Sequence, residues 1–180
     1  IKAGVLQQVD APQALYDHPV NVFVAAFIGS PSMNLLEGAV TLKDGGGAVV
    51  RLGSQEITLP AQEVSSRPGL QARNGQKVVV GMRPEDLGDA TLETSHPEDQ
   101  RLKVDVRLVE ALGSDLMVHT ELDAQHVDSG DPDAVEEVGS RRSTVARFDP
   151  RSRVQVGETV FMTVDVSRLH FFDSDTHLAI

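Results

Sequence analysis

The apolar positions of this chain follow two different periods. From Arg101 to Leu108 they alternate, with Leu102, Val104, Val106 and Leu108 on one side and charged residues between them. That is the period of a half-buried β-strand. "SDLMVHTEL", beginning at Ser114, is expected to pair with it. Upstream, "EGAVTL" and "GAVVRLG" flank the Gly-rich "KDGGG" and read as a hairpin, with Gly45, Gly46 and Gly47 in the turn rather than in a phosphate cradle. "QEITLP" is a further short strand, and "ETVFMTVDV" and "RLHFFD" are the closing ones.

Residues 1–36 have another character. "GVLQQV" (Gly4 to Val9) reads as a short strand. Asp10 is placed to cap a short helix with Pro12 in its first turn. A second helix is expected from Pro19 to about Ile28, with Phe23, Val24 and Phe27 as its apolar face. Gly29 suits the C′ position and Pro31 prevents continuation. The β-branched content of "FVAAFI" leaves a buried strand as the alternative. At seven residues, the apolar run from Val22 to Ile28 is far too short to cross a bilayer.

A weak internal repeat joins the two ends of the β region. "GQKVVVGMRPEDL" (Gly75 to Leu87) aligns with "GETVFMTVDVSRL" (Gly157 to Leu169), 82 residues later, with three of thirteen positions identical. Similar strands at equivalent points of a strand-rich chain predict two related small barrels.

Composition narrows the function. The net charge is −11, and residues 1–36 supply only Lys2 against Asp10 and Asp17, so the β region is strongly acidic. Such a surface repels polyphosphate, and with aromatics at 4% and no Trp it lacks stacking platforms, so nucleic acid is not an expected partner. With no Cys, disulfides and thiolate metal sites are excluded. The stretch from Asp123 to Ser143 reads as a mobile acidic surface loop, alternatively a docking segment for a basic partner; it matches a calcium ladder poorly.

Catalytic motifs are missing. No lysine follows a glycine or precedes Ser or Thr, so the chain carries no P-loop. Gly-x-Ser-x-Gly and His-Glu-x-x-His are absent, and His119 and His170, each in an expected strand, read as structural. No metal or cofactor site is expected in this chain. Arg83 reads as one half of a surface ion pair.

"GVLQQVDAPQALYDHPVNVFVAAFIGSPSMNLLEG", "VVVGMRPEDL", "VEALGSDLMV" and "VGETVFMTVDVSRLHFFDSDT" together resemble the ATPase subunits of carbohydrate ABC importers of the maltose and glycerol-phosphate type (MalK-like, UgpC-like). The wording is nearest the trehalose-importing, SugC-like members. The resemblance leaves out a linker near residues 60 to 74 and the acidic loop. It implies that residues 1–36 are the end of a nucleotide-binding domain and residues 37–180 a regulatory domain of TOBE/OB-like barrels. Gly29, Ser30, Pro31, Met33 and Asn34 would form the joint between them. On this reading the chain is a truncated C-terminal piece without catalytic residues. ATP and magnesium would be bound by the missing nucleotide-binding domain. The resemblance also implies a homodimer through the regulatory domain, permease subunits as partners of the missing domain, and in some relatives a regulatory protein. It implies a cytoplasmic location on the inner face of the cell membrane. A second reading is a small-ligand or oxyanion-sensing TOBE module.

Overall fold

The computed structural model describes residues 1–130 and 143–180. Two short helices, α1 (Pro12–Asp17) and α2 (Val22–Phe27), precede a β region. Its first half contains β1 (Asn34–Leu42), β2 (Ala48–Leu52), β3 (Gln55–Leu59), helices α3 (Ala61–Ser65) and α4 (Pro68–Gln71), β4 (Lys77–Met82) and β5 (Leu87–Asp89). Its second half contains β6 (Arg101–Ala111), β7 (Leu116–Glu121), β8 (Ser143–Phe148), β9 (Thr159–Val164) and β10 (His170–Asp173). The mainly β architecture with tandem small barrels expected from the sequence is therefore present.

The two five-stranded sheets run β10-β4-β1-β2-β3 and β5-β9-β6-β7-β8. Each half of the chain thus donates its last strand to the other half's sheet. The aligned repeat is the device that does this. In both copies a strand (β4 or β9) ends in a single 3-10 turn, Pro84–Asp86 or Val166–Arg168, and the chain leaves for the opposite sheet. The two turns meet. The Asp165 N–H donates to the Asp86 carbonyl at 2.9 Å, and the Arg168 guanidinium Nε lies 2.9 Å from the Asp86 carboxylate. Asp86 and Arg168 occupy the same position in the alignment.

One continuous apolar cluster fills both sheets, from Leu36, Val50 and Ile57 through Val80 and Leu87 to Leu102, Val118, Phe148 and Val164. A smaller cluster unites Val22, Ala25 and Ala26 of α2 with Met33, Leu35, Val79 and Phe172, across β10, β4 and β1. Sheet positions are therefore covered on both faces there, which explains why "VVVGM" is a continuous apolar run rather than an alternating one.

Several expectations are corrected. Gly4 to Val9 is not a strand; it holds only an isolated bridge between Lys2 and Val5. Asp10 does not cap α1, whose N-cap is Ala11 without a side-chain bond. The second helix starts at Val22, not Pro19, because the Asn21 side chain accepts from the Val24 N–H at 2.9 Å and fixes its start there. The linker near 60 to 74 contains α3 and α4, which send Val64 and Leu70 into the core. Alternation in β6 breaks at a register shift between Val106 and Leu108, so Leu108 leaves the core face and is exposed.

Much of the expected acidic loop, residues 131–142, lies outside the described residues. Its beginning is anchored rather than loose. The Glu37 N–H donates to the Gln125 carbonyl and the Val127 N–H to the Leu35 carbonyl, adding a short antiparallel pairing to β1. A Cβ at Gly53 would stand 1.2 Å from the Asp123 carbonyl oxygen, so only glycine lets this crossing pass the β2–β3 turn.

Reciprocal strand exchange makes the halves interdependent. Residues 1–95 expressed alone should lack β10 beside β4 and show no cooperative urea transition by circular dichroism. Mixing them with residues 96–180 should restore one.

Candidate functional site

Residues 28–34 leave α2 and enter β1. Gly29 adopts a φ of +112°, a region favouring glycine, and the Ser30–Pro31 peptide is cis. Met33 is buried, and its sulfur occupies the space that a Cβ on Gly81 would fill. Asn34 reaches farther than a joint between helix and barrel requires. Its side-chain amide donates to the Met82 carbonyl at 3.0 Å and the Val145 carbonyl at 2.9 Å, and its oxygen accepts from the Val145 N–H at 2.8 Å. The side chain thus extends β8 of one sheet onto β1 of the other.

On α2, Phe23 and Val24 are buried while Phe27 is 58% exposed. The two phenyl rings stack at 5.8 Å, and the Lys2 ammonium lies over Phe23. Of the expected apolar face only Phe27 is therefore exposed, with Val5, Leu6, Val9 and Val20 exposed nearby in the sequence.

Arg83 is the residue that sequence reasoning misread. It is not on the surface: only 1% of it is exposed. Its guanidinium donates to the Ile28 carbonyl at 3.0 Å and to the Tyr16 carbonyl, and stacks 3.5 Å over the Tyr16 ring. The nitrogen bonded to Ile28 would lie 3.3 Å from a Cβ on Gly29. Burial pulls its pKa down to about 10, with the nearby Asp86 and Asp17 carboxylates offsetting part of that effect. Its place between the apolar "VVVGM" and the turn-forming "PED" was the available signal: a cation closing a buried strand needs acceptors close by.

The crossing below Arg83 is electrostatically divided. Burial raises the Asp86 pKa to about 6 despite the Arg168 contact, which acts the other way. Burial, aided by Arg83, Arg168, Arg67 and His18, lowers His170 to about 4. Beside His170 opens a cleft of about 600 Å³, walled by the α1–α2 connection, the α3–α4 connection and β10. His119 is elsewhere, 2.8 Å from Glu110 across the β6–β7 hairpin.

Two outcomes are expected from these groups. Arg83→Met should cost about 3 kcal/mol in urea unfolding, since two carbonyls lose a charged donor inside the protein. Asp86 and His170 should oppose each other with pH. The raised pKa of Asp86 gives stability below its unfolded value of 3.8 that is lost as pH rises through about 6. The lowered pKa of His170 gives stability above 6.5 that is lost as pH falls towards about 4. Between pH 4 and 6, stability should therefore rise more steeply with pH in Asp86→Asn than in the parent, and less steeply in His170→Gln. Urea midpoints measured across that range would read both slopes.

Residues 29–87, beginning where α2 ends, match the family model described as the MalK OB fold domain. Over 182 residues and all of this chain, 31% are identical to the oligosaccharides import ATP-binding protein MsmX of Bacillus subtilis, covering 43% of that protein. The trehalose import ATP-binding protein SugC of Mycobacterium tuberculosis is 34% identical over 96% of this chain and 44% of its own length. The trehalose/maltose import ATP-binding protein MalK of Thermococcus litoralis is 39% identical over 98% of this chain and 42% of its own. The chain thus spans less than half the length of the curated relatives it matches. Among solved structures, the molybdate-bound cytoplasmic protein ModG superposes with a TM-score of 0.50 at 14% identity, over 77% of this chain and 94% of that one. That likeness is one of fold.

Proposed function

We propose, for a chain whose residues 29–87 are a MalK OB fold domain and which is a homologue of sugar-importer ATP-binding subunits, that it is the regulatory and dimerisation part of such a subunit. The observation that carries this reading is the match along nearly the whole chain to relatives more than twice as long. ATP and magnesium would be bound by the remainder of the subunit, and hydrolysis there would drive sugar uptake through permease partners at the cytoplasmic face of the membrane. This part would hold two subunits together while their nucleotide domains open and close, so that closure is an intramolecular event at high effective concentration. A regulatory protein, where one exists, would act by favouring the open state over the closed one. Trehalose is the narrower substrate reading, supported by the SugC and Thermococcus relatives.

Two features of the fold suit a tether. The shared core makes both barrels one body, and Arg83 fastens the N-terminal helices to that body at the crossing. Light scattering over a concentration series should give twice the 19.4 kDa chain mass. A mass of one chain at every concentration would remove the tether role from this part of the subunit.

A further inference from the structure

Arg168, in the second crossing turn, stands between two carboxylates. Its Nε lies 2.9 Å from Asp86 of the first crossing turn, and its Nη2 lies 4.0 Å from Asp17, the last residue of α1. Asp86 and Arg168 belong to the barrels, whereas Asp17 belongs to the N-terminal segment. The short contact is thus made within the barrels, and the one that would hold α1 on them is left long.

The two carboxylates are not equivalent. The Asp86 side chain is 7% exposed, and its Oδ2 is buried without a hydrogen-bond partner among the described residues. The Asp17 side chain is 35% exposed, and its Oδ2 accepts from the Gln13 amide at 2.9 Å. Burial without a donor disfavours the ionised form of Asp86. Its pKa of about 6 has burial as the first cause; Arg168 and Arg83 act against it, and Glu85 and Asp165 act with it. The other carboxylates at the crossing are engaged. Glu85 faces Arg147 of β8 at 3.4 Å, and Asp165 accepts from the N–H and hydroxyl of Ser167. His18 of the α1–α2 connection and Arg83, Arg168 and Arg67 face His170 of β10, whose pKa of about 4 keeps it neutral above that value.

We propose that Asp86 and Asp17 compete for Arg168, and that protonation of Asp86 from solvent latches the N-terminal segment onto the barrels. Ionised, Asp86 holds Arg168 in the crossing and repels Asp17. Neutral, it leaves Asp17 as the carboxylate facing Nη2, and the gap closes from 4.0 Å towards the ~2.9 Å of a charge-assisted bond. Arg83, which loses the same countercharge, is then balanced by Asp17 as well. The pKa of Asp86 is raised in the folded chain, so the tightening is present in full below 3.8 and is lost as pH rises through about 6. The latch is a property of this chain and holds whatever the parent protein transports.

Tyr16 is a built-in reporter. It is the single tyrosine of a chain without Trp, it adjoins Asp17, and its ring lies under the Arg83 guanidinium. The test is acrylamide quenching of its fluorescence at about pH 7.5 and about pH 5, which bracket the Asp86 titration while His170 stays neutral. In the parent chain the quenching constant should fall about twofold towards the lower pH, the size of effect that one partly exposed ion pair gives. Asp86→Asn, neutral throughout, should give the low constant at both pH values. Asp17→Asn, altered on the partly exposed end of α1, should give the high constant at both, and it tests the latch without touching the buried crossing. His18→Gln should keep the parent's fall. A parent constant that does not fall would overturn the latch, and so would a fall that survives in Asp17→Asn. Loss of the fall in His18→Gln would assign it to that ring and overturn the role of Asp86.

Discussion

The structure depends on two chain crossings at which the last strand of each half leaves its own sheet. A three-residue strand such as β5 has too few ladder bonds to hold itself. It persists because it pairs with β9 while β10, its counterpart, pairs with β4. The exchange converts two small barrels, each too small to bury much apolar surface alone, into one body with a common core. The meeting of Asp86 with Arg168 at aligned positions places an ion pair where the two crossing turns touch. Burial makes the Asp86 charge costly there, so this contact registers the crossing more than it stabilises it.

The N-terminal helices are joined to the same point. Arg83 immediately precedes the first crossing turn and holds the carbonyls of Tyr16 and Ile28, one before α2 and one at its end. α2 then lies on β10, β4 and β1, the strands that the exchange brings together. A force applied to α1 or α2 therefore reaches the crossing through a buried guanidinium and a packed face, not through a flexible tether. That is a mechanical property of this chain.

Much of this was legible in the sequence, for physical reasons. The β1–β2 hairpin was legible because glycine-rich turns are local. The inward face of β6 was legible up to the bulge, because alternation is local too. The repeat predicted two related barrels because equivalent chain positions need equivalent residues. The exchange itself was not, since strands of three and four residues carry too little pattern to reveal their partners. Arg83 was misread because its acceptors are backbone carbonyls 55 and 67 residues away, and carbonyls have no sequence signature. Asn34 was placed at the joint from resemblance, yet its bonds to Val145 span 111 residues and no local rule foresees them. Helices α3 and α4, at five and four residues, are too short to show a helical period.

The cleft follows from the same constraint. Its floor is β10, a strand present in this sheet only because of the exchange, and its wall is the α1–α2 connection, which is held where it is by Arg83 on either side. The polar side chains lining it come from the end of α1 and the α1–α2 connection, the α3–α4 connection and the second crossing turn, stretches distant in sequence. Arg83 and the packed face of α2 together hold the N-terminal segment on the barrels, and the shape of the cleft depends on both.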